Sequence, residues 1–386
     1  MDTPVTLPVW KRFNTGFIRL ESLKTINTGT HDRYKEYKSS LEKGLKTRYV
    51  IGNFDGYTEA EQIQDLYEPL FSISQIDATK GIIPSPYLFS IMKLDTSGRG
   101  KFHSMDQSFV SIDKAYAKGF FIVIKESFEQ PLVEFVKLTE EGGLLVHHDV
   151  IELKPQTHTI ILRVVEGVGK GMIADNVEIF ANQGSSVDYV TVNKTKKNGF
   201  YSAIKRARLS GGANVNWYNI DMDESNIAIS TRSILAEPGS ETRLIGVVVG
   251  KGDAQKDISY ETFHTAPDTT TSVLVRAAVL DQAKVIYRAL THIASGSKRA
   301  KVEQAEKSIM LGEHARFDGI PSLWIDEDNV IASHSASSGM VDEQTMFYLK
   351  SRGIPHHIAE KLITDGFIGS LLNTYPINLV NSLSGS

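Results

Sequence analysis

With 11 histidines and no cysteine, this 386-residue chain is restricted in the chemistry open to it. It forms no disulfide and offers no thiolate as a nucleophile or a metal ligand. Any metal must be held by His, Asp or Glu, or by groups of a partner. Four places gather such residues. His147-His148-Asp149 resembles a ligand cluster, but adjacent residues of a strand point to opposite faces, so the two imidazoles do not chelate one ion and a solvated strand edge is expected. His264 precedes Pro267 and is expected to hydrogen-bond the turn there. His356-His357 follows Pro355 at a helix start and reads as surface. Asp326-Glu327-Asp328 offers three carboxylates in a row, a pattern that more often marks a solvated turn than a metal site.

Two glycine-rich loops, Gly98-Arg99-Gly100-Lys101 and Gly167-Val168-Gly169-Lys170-Gly171, lack the spacing of a phosphate-binding loop, and there is no Gly-x-Ser-x-Gly elbow. The net charge of −4 gives no basic field for nucleic acid or an anionic membrane, and no apolar run is long enough to span a bilayer. The first residues lack the basic and apolar regions of a signal peptide, so a cytoplasmic protein is expected.

The elements that must position these residues fall into three regions, 1–146, 147–340 and 341–386. The first is mixed. Helices are expected over Arg33–Leu45 and from Thr58 to Leu66, where Thr58 and Glu61 fit a capping box. An extended segment is expected at Ile82–Pro86, and a buried strand at Gly119–Lys125. The second region carries short runs of Val, Ile, Thr and Tyr. Turn-prone Gly184, Gly211, Gly239, Asp268 and Gly296 are spaced 27, 28, 29 and 28 residues apart. Alternating apolar residues follow them: Val215 and Trp217; Leu244 or Ile245, then Val247 and Val249; Val273, Val275, Ala277 and Val279. A period of this size with strands inside it suggests stacked coils of a β-solenoid, with an antiparallel sandwich as the competing reading. In the third region Asp342 is expected to cap a helix to Ser351 closed by Gly353. Pro355 opens a second helix stopped at Gly366, and a third spans Ile368–Leu372. The tail after Asn381 is Ser/Gly-rich and expected to fray.

The stretch Asp326–Ala336, continuing as Asp342-Glu343-Gln344-Thr345-Met346-Phe347-Tyr348-Leu349-Lys350-Ser351-Arg352-Gly353-Ile354, resembles the C-terminal signature of the SufB/SufD family of iron–sulfur cluster assembly scaffolds. Phe263–Ser272 resembles that family's His-x-x-Pro-x-Thr-x-Ser segment. Arg208-Leu209 with Gly212-Ala213, Gln304-Ala305-Glu306, Ile309-Met310-Leu311 and Ile320–Ile325 extend the likeness over about His147 to Phe367. Trp10-Lys11-Arg12-Phe13 is a faint echo further upstream.

The resemblance implies a mainly β fold: a right-handed parallel β-helix core with an N-terminal α/β part and a C-terminal helical part. It implies pairing with a SufB-like paralogue through the β-helix ends and docking of a SufC-like ABC-type ATPase on the C-terminal helices, where Phe347, Tyr348 and Arg352 are the candidate contacts. Lacking cysteine, the chain resembles the SufD type. Its matching histidine, His334, is the candidate interface metal ligand, with Ser335, Ser337 and Ala332 departing from the family pattern around it. A non-catalytic scaffold is expected, with no cofactor bound alone and a transient iron–sulfur cluster shared with the partner chain. A homodimer without a cluster role is one alternative. A secreted β-helix polysaccharide lyase or hydrolase using Asp257, Asp268 and Glu241 is the other.

Overall fold

In the computed structural model, residues 24–25, 49–54, 57–59, 70–77, 117–341, 343–374 and 376 are described. The expected helix over Arg33–Leu45, the Ile82–Pro86 segment, the loop at Gly98 and the tail after Asn381 lie outside them. In chain order the strands are β1 (Lys24–Thr25), β2 (Tyr49–Phe54), β3 (Tyr57–Glu59), β4 (Phe71–Asp77), β5 (Lys118–Ile124), β6 (Leu132–Leu138), β7 (Gly143–Leu153), β8 (His158–Gly167), β9 (Met172–Ala181) and β10 (Ser186–Asn193). They continue as β11 (Phe200–Leu209), β12 (Asn214–Asp221), β13 (Asn226–Leu235), β14 (Glu241–Gly250), β15 (Gln255–His264), β16 (Thr270–Val279), β17 (Lys284–Ile293), β18 (Lys301–Met310), β19 (Arg316–Ile325) and β20 (Ile331–Met340). Two helices follow, α1 (Glu343–Ser351) and α2 (His356–Leu372).

From β5 onward, odd-numbered strands pair in parallel with odd and even with even, so the chain alternates between two sheets. This is a parallel β-solenoid of about eight turns with two C-terminal helices, and the sandwich reading falls. The coil is continuous across the 146/147 boundary drawn from sequence, which falls inside β7.

The repeat seen in sequence is the corner of each coil, except that at the second corner the left-handed residue is Gly212 and not the Gly211 expected. Gly184, Gly212, Gly239 and Asp268 stand in the left-handed region with φ of 65°, 64°, 74° and 59°. That conformation suits Gly and is tolerated by Asp, and a residue needing it recurs at each corner. Gly184 N–H donates to the Gly211 carbonyl at 2.9 Å and Gly212 N–H to the Pro238 carbonyl at 3.0 Å, linking one corner to the next.

Between the sheets lies one apolar lumen. In the even sheet Tyr189, Trp217, Leu244 and Val273 form one inward ladder, in register from coil to coil. Trp217 is wholly buried, edge-on to Tyr189 at 5.3 Å, and its Nε1 donates to Ser233 Oγ at 3.0 Å. Of the expected pair Leu244 and Ile245, Leu244 faces the lumen. Ile245, Val247 and Val249 belong to a second apolar layer on the sheet's outer face, with Val190, Val192, Tyr218 and Ile220. Ile368 and Leu371 of α2 pack into that layer, and Arg276 of β16 donates to the Phe367 carbonyl.

Of the helix expected from Thr58 to Leu66, residues 60–66 lie outside the described residues; Thr58 itself lies in β3, paired antiparallel with Asn53 of β2. One local expectation is corrected. The helix opened by Pro355 does not stop at Gly366 but runs through it and Gly369 to Leu372, absorbing the expected third helix. Each glycine costs a helix about 1 kcal/mol; burial of Ala359, Ile368 and Leu371 outweighs that. The α1–α2 turn forms as expected: Gly353 has φ 81°, and Ile354 N–H reaches the Leu349 carbonyl at 3.2 Å.

Removing the Trp217 side chain leaves a cavity between two sheets that cannot close on it. Trp217→Ala is expected to destabilise the fold by about 3–5 kcal/mol, read as a fall in midpoint in urea unfolding.

Candidate functional site

Polar side chains interrupt the apolar lumen at several levels, with one group near each end. The first lies toward its N-terminal end. The i, i+2 pair His147 and Asp149 faces inward from β7, and Glu134 and Arg163, register partners in β6 and β8, face it from the other sheet. All four side chains are fully buried. His147 Nε2 lies 3.0 Å from both Glu134 Oε1 and Asp149 Oδ1, and its Nδ1 is 2.9 Å from Asn53 Nδ2. Arg163 engages the other oxygens of those carboxylates and also Asp175, which accepts from Tyr201 OH at 2.8 Å.

The expectation of a solvated edge at His147-His148-Asp149 is therefore wrong. His148 does point the opposite way, toward Glu178 at 3.4 Å, but it too is fully buried, because both faces of β7 are covered. The i, i+2 spacing was the available signal. Glu134 and Arg163 come from other strands, and only the coil register brings them in.

Glu134, His147 and Asp149 together have the donor types of a cation site. The electrostatics favour a proton there. Burial opposes the His147 imidazolium, but attraction to Asp149 and hydrogen bonds to Asp149 and Glu134 outweigh it and raise its pKa to about 9. Burial would raise the Asp149 carboxyl, yet His147 and Arg163 hold it well below the carboxylate range. Burial raises Glu134 despite Arg163. An imidazolium and a guanidinium thus already neutralise these acids. Further along, Lys205 donates to Thr191 Oγ1 and Asn219 Oδ1, both at 2.6 Å, with its pKa pulled down to about 7 by burial.

The second group lies at the C-terminal mouth of the lumen. The ladder position held by Val273 in β16 is Gln304 in β18 and His334 in β20; that of Val275 is Glu306. Beyond β19 and β20 neither sheet has a further described strand, so His334 is an exposed member of an inward ladder. Gln304 Nε2 donates to Thr291 Oγ1 at 2.9 Å. Burial pushes the Glu306 carboxyl up to about 7. Sequence reasoning placed Gln304 and Glu306 only in a family-like segment, since alternation alone does not reveal that a polar residue faces inward.

The other candidates separate. His264 is buried and structural, its Nδ1 2.7 Å from Thr269 Oγ1 and its Nε2 2.9 Å from Thr271 Oγ1. The turn Asp326–Asp328 serves its neighbours: Asp326 accepts from Trp324 and lies 3.0 Å from His292 Nε2, and Glu327 accepts from Gly296 N–H at 3.0 Å. His356 is exposed beside Glu360. Gly167–Gly171 turns from β8 into β9, with no helix after it to hold a phosphate. Asp257 is bound to Arg288 on one sheet, Asp268 to Arg299 in a turn, and Glu241 starts a strand of the other sheet, so the three acids do not form a site. On α1, Phe347 and Tyr348 are 73% and 57% exposed, and the Arg352 guanidinium lies 5.2 Å from the Tyr348 ring centre.

The His147 shift fixes the sign of a pH effect. A pKa raised on folding gives stability that is full below the unfolded value of about 6.5 and is lost as pH rises through about 9. Lys205, shifted the other way, works against this, so the effect is read by difference. Thermal melts are expected to show the stability advantage of the unaltered chain over His147→Gln shrinking between about pH 6.5 and about pH 9.

The comparisons with known proteins agree with this architecture. Residues 136–367 match the family model described as SUF system FeS cluster assembly, SufBD core domain. The chain is 31% identical over 202 residues to the iron–sulfur cluster assembly protein SufD of Bacillus subtilis, a match covering 52% of this chain and 46% of that protein. It is 26% identical over 202 residues to a SufBD family protein of Staphylococcus saprophyticus, covering 52% of this chain and 43% of that protein. The chain thus spans about half the length of the curated relatives it matches. No helix among the described residues is long and apolar enough to cross a membrane. With the family model matching more than half its length over the solenoid and its two helices, the chain belongs to the SufBD family of the SUF iron–sulfur cluster assembly system.

Proposed function

We propose that this chain is a SufD-like scaffold subunit with no catalysis of its own, working in the cytoplasm. It pairs through the open end of its solenoid with a cysteine-bearing SufB-like chain and receives a SufC-like ABC-type ATPase on α1 and α2. The observation that carries this reading is the C-terminal end of the coil. Strands β19 and β20 have no outer neighbour among the described residues; β19 carries Arg316, Asp318 and Pro321, which leaves β20 as the edge open along its ten residues. Rows of unpaired N–H and C=O groups in flat, uncharged strands are templates for another chain. The segment Ser333-His334-Ser335-Ala336-Ser337-Ser338-Gly339 carries none of the charges or prolines that would block such pairing.

Pairing there would set His334 opposite the partner. Neutral imidazole is an accepted ligand for iron and replaces thiolate in some iron–sulfur centres. The cluster is then cargo held between two chains, with the thiolates supplied by the partner. Exposed Phe347 and Tyr348 give the ATPase an aromatic patch of the kind that marks docking surfaces. ATP-driven pairing of two ATPase subunits would pull on the helices, and through α2, seated on the even sheet, on the mouth of the lumen.

The test is anaerobic affinity purification of the chain from its host. An ABC-type ATPase and a cysteine-containing paralogue are expected to co-purify; the chain alone, even after crosslinking, would contradict the reading. His334→Ala is expected to leave the complex assembled and to lower cluster transfer to an apoprotein. Unchanged transfer removes His334 from the mechanism.

A further inference from the structure

The polar side chains at the mouth of the lumen are buried without being satisfied. Gln304, Glu306 and Ser308 occupy consecutive inward positions of β18, where the preceding coil has Val273, Val275 and Ala277. They are 3%, 7% and 4% exposed. Gln304 Oε1, Glu306 Oε2 and Ser308 Oγ have no hydrogen-bond partner. A buried acceptor left unpaired costs about 1–3 kcal/mol, more if charged, so three in a row on one strand call for a ligand.

The opposite wall is shaped to admit the carboxylate. A Cβ on Gly319 of β19 would stand 2.1 Å from Glu306 Oε1, so the acid lies across the lumen in the space a side chain would fill. His334 continues the same inward face one strand further out, in register with Gln304 and diagonal to Glu306. With strands about 4.8 Å apart and a rise of about 3.3 Å per residue, the diagonal positions stand about 8 Å apart, a span that a Glu and a His can bridge through one ion. An imidazole nitrogen, a carboxylate oxygen and an amide oxygen suit divalent first-row transition ions.

We propose that Glu306 and His334, with Gln304 Oε1 beside them, form a half-site for a divalent transition-metal ion at the mouth of the lumen, completed by the chain that covers this end. The inference rests on the reading that a second chain covers it, and it adds the carboxylate and the amide to the candidate histidine. The carboxylate supplies the negative charge that a neutral imidazole lacks and holds the ion on the lumen axis. The Gly319 gap leaves Glu306 room to reach it.

Manganese(II) is a suitable probe because bound and free ions differ in their electron paramagnetic resonance signal. The ion is titrated anaerobically into the untagged chain, and into the complex recovered with it. Binding is expected in the complex, weakened about tenfold or more by Glu306→Gln and by His334→Ala. It is expected to be unchanged in Glu303→Gln, which alters an exposed, outward position of the same strand. Gly319→Ala, which crowds the carboxylate without removing a donor, is expected to weaken it too. Thermal melts accompany each variant, and Glu306→Gln, which removes a buried acid, is expected to melt no lower than the unaltered chain. No binding in either preparation, or equal binding by Glu306→Gln, overturns the half-site. Glu306-dependent binding together with unimpaired cluster transfer by both variants sustains the half-site and sinks its link to cluster assembly.

Discussion

Each coil of this solenoid depends on the next. A single coil is two strands and two turns, too small to bury its own inward face, and its backbone groups are satisfied only by the coils above and below. The register ladders that run from β5 to β20 express that dependence: Tyr189 rests on Trp217, Trp217 on Leu244, Leu244 on Val273. The corner residues in the left-handed region reset the chain for each new coil, so that every ladder begins in phase. A structure stabilised by nearest neighbours has a particular difficulty at its ends, where a neighbour is missing, and the functional reading follows from how the C-terminal end is left.

The lumen itself changes character along its length. In the middle Tyr189, Trp217, Tyr260 and Tyr287 fill it, with the Lys205 ammonium held among them by Thr191 and Asn219. Side-chain volume there is matched by glycine: a Cβ on Gly246 would meet the Tyr260 hydroxyl at 2.7 Å. Toward the N-terminal end, Arg163 is held by three carboxylates and His147 by two. Such a cluster is expensive to bury and is tolerated because nearly every charge has its counter-charge within hydrogen-bond reach. Removing one member strands the others, which makes the cluster a stringent constraint on register rather than a source of stability. At the C-terminal mouth the same inward positions are polar again, but there Gln304, Glu306 and Ser308 keep atoms unpaired. At the N-terminal end the charged groups are paired with one another and only Asn53 Oδ1 and Tyr189 Oη beside them are not, whereas at the mouth the unpaired atoms fall on three consecutive inward positions of one strand next to the open end.

Much of this was legible in the sequence, for physical reasons. The corners need residues that accept positive φ, so glycine and aspartate recur at the coil period and reveal it. Gly353 and Pro355 carry conformational requirements that mark the α1–α2 turn. What was not legible depends on more than one coil. His147 and His148 alternate correctly, but nothing in one strand says that both its faces are covered. Ile245 and Leu244 look alike until the second apolar layer and α2 are present. Gly366 would end an isolated helix and does not end this one, since Ile368 and Leu371 beyond it are buried. Glu306 looks like a surface acid in a charged strand, flanked by Lys301, Glu303 and Lys307. Its inward position follows from parity with Val275 one coil earlier.

The central claim is that the open edge of β20 is the surface on which a second chain completes the solenoid. Hydrogen–deuterium exchange over Ile331–Met340 tests it most directly, comparing the chain alone with the complex that co-purifies with it. Half of the β20 amides face β18 and half face outward. The account predicts that the outward half exchange quickly in the isolated chain and become protected in the complex, with β10 to β14 unchanged. Equal exchange of β20 in both states, with protection appearing on another surface, would contradict it.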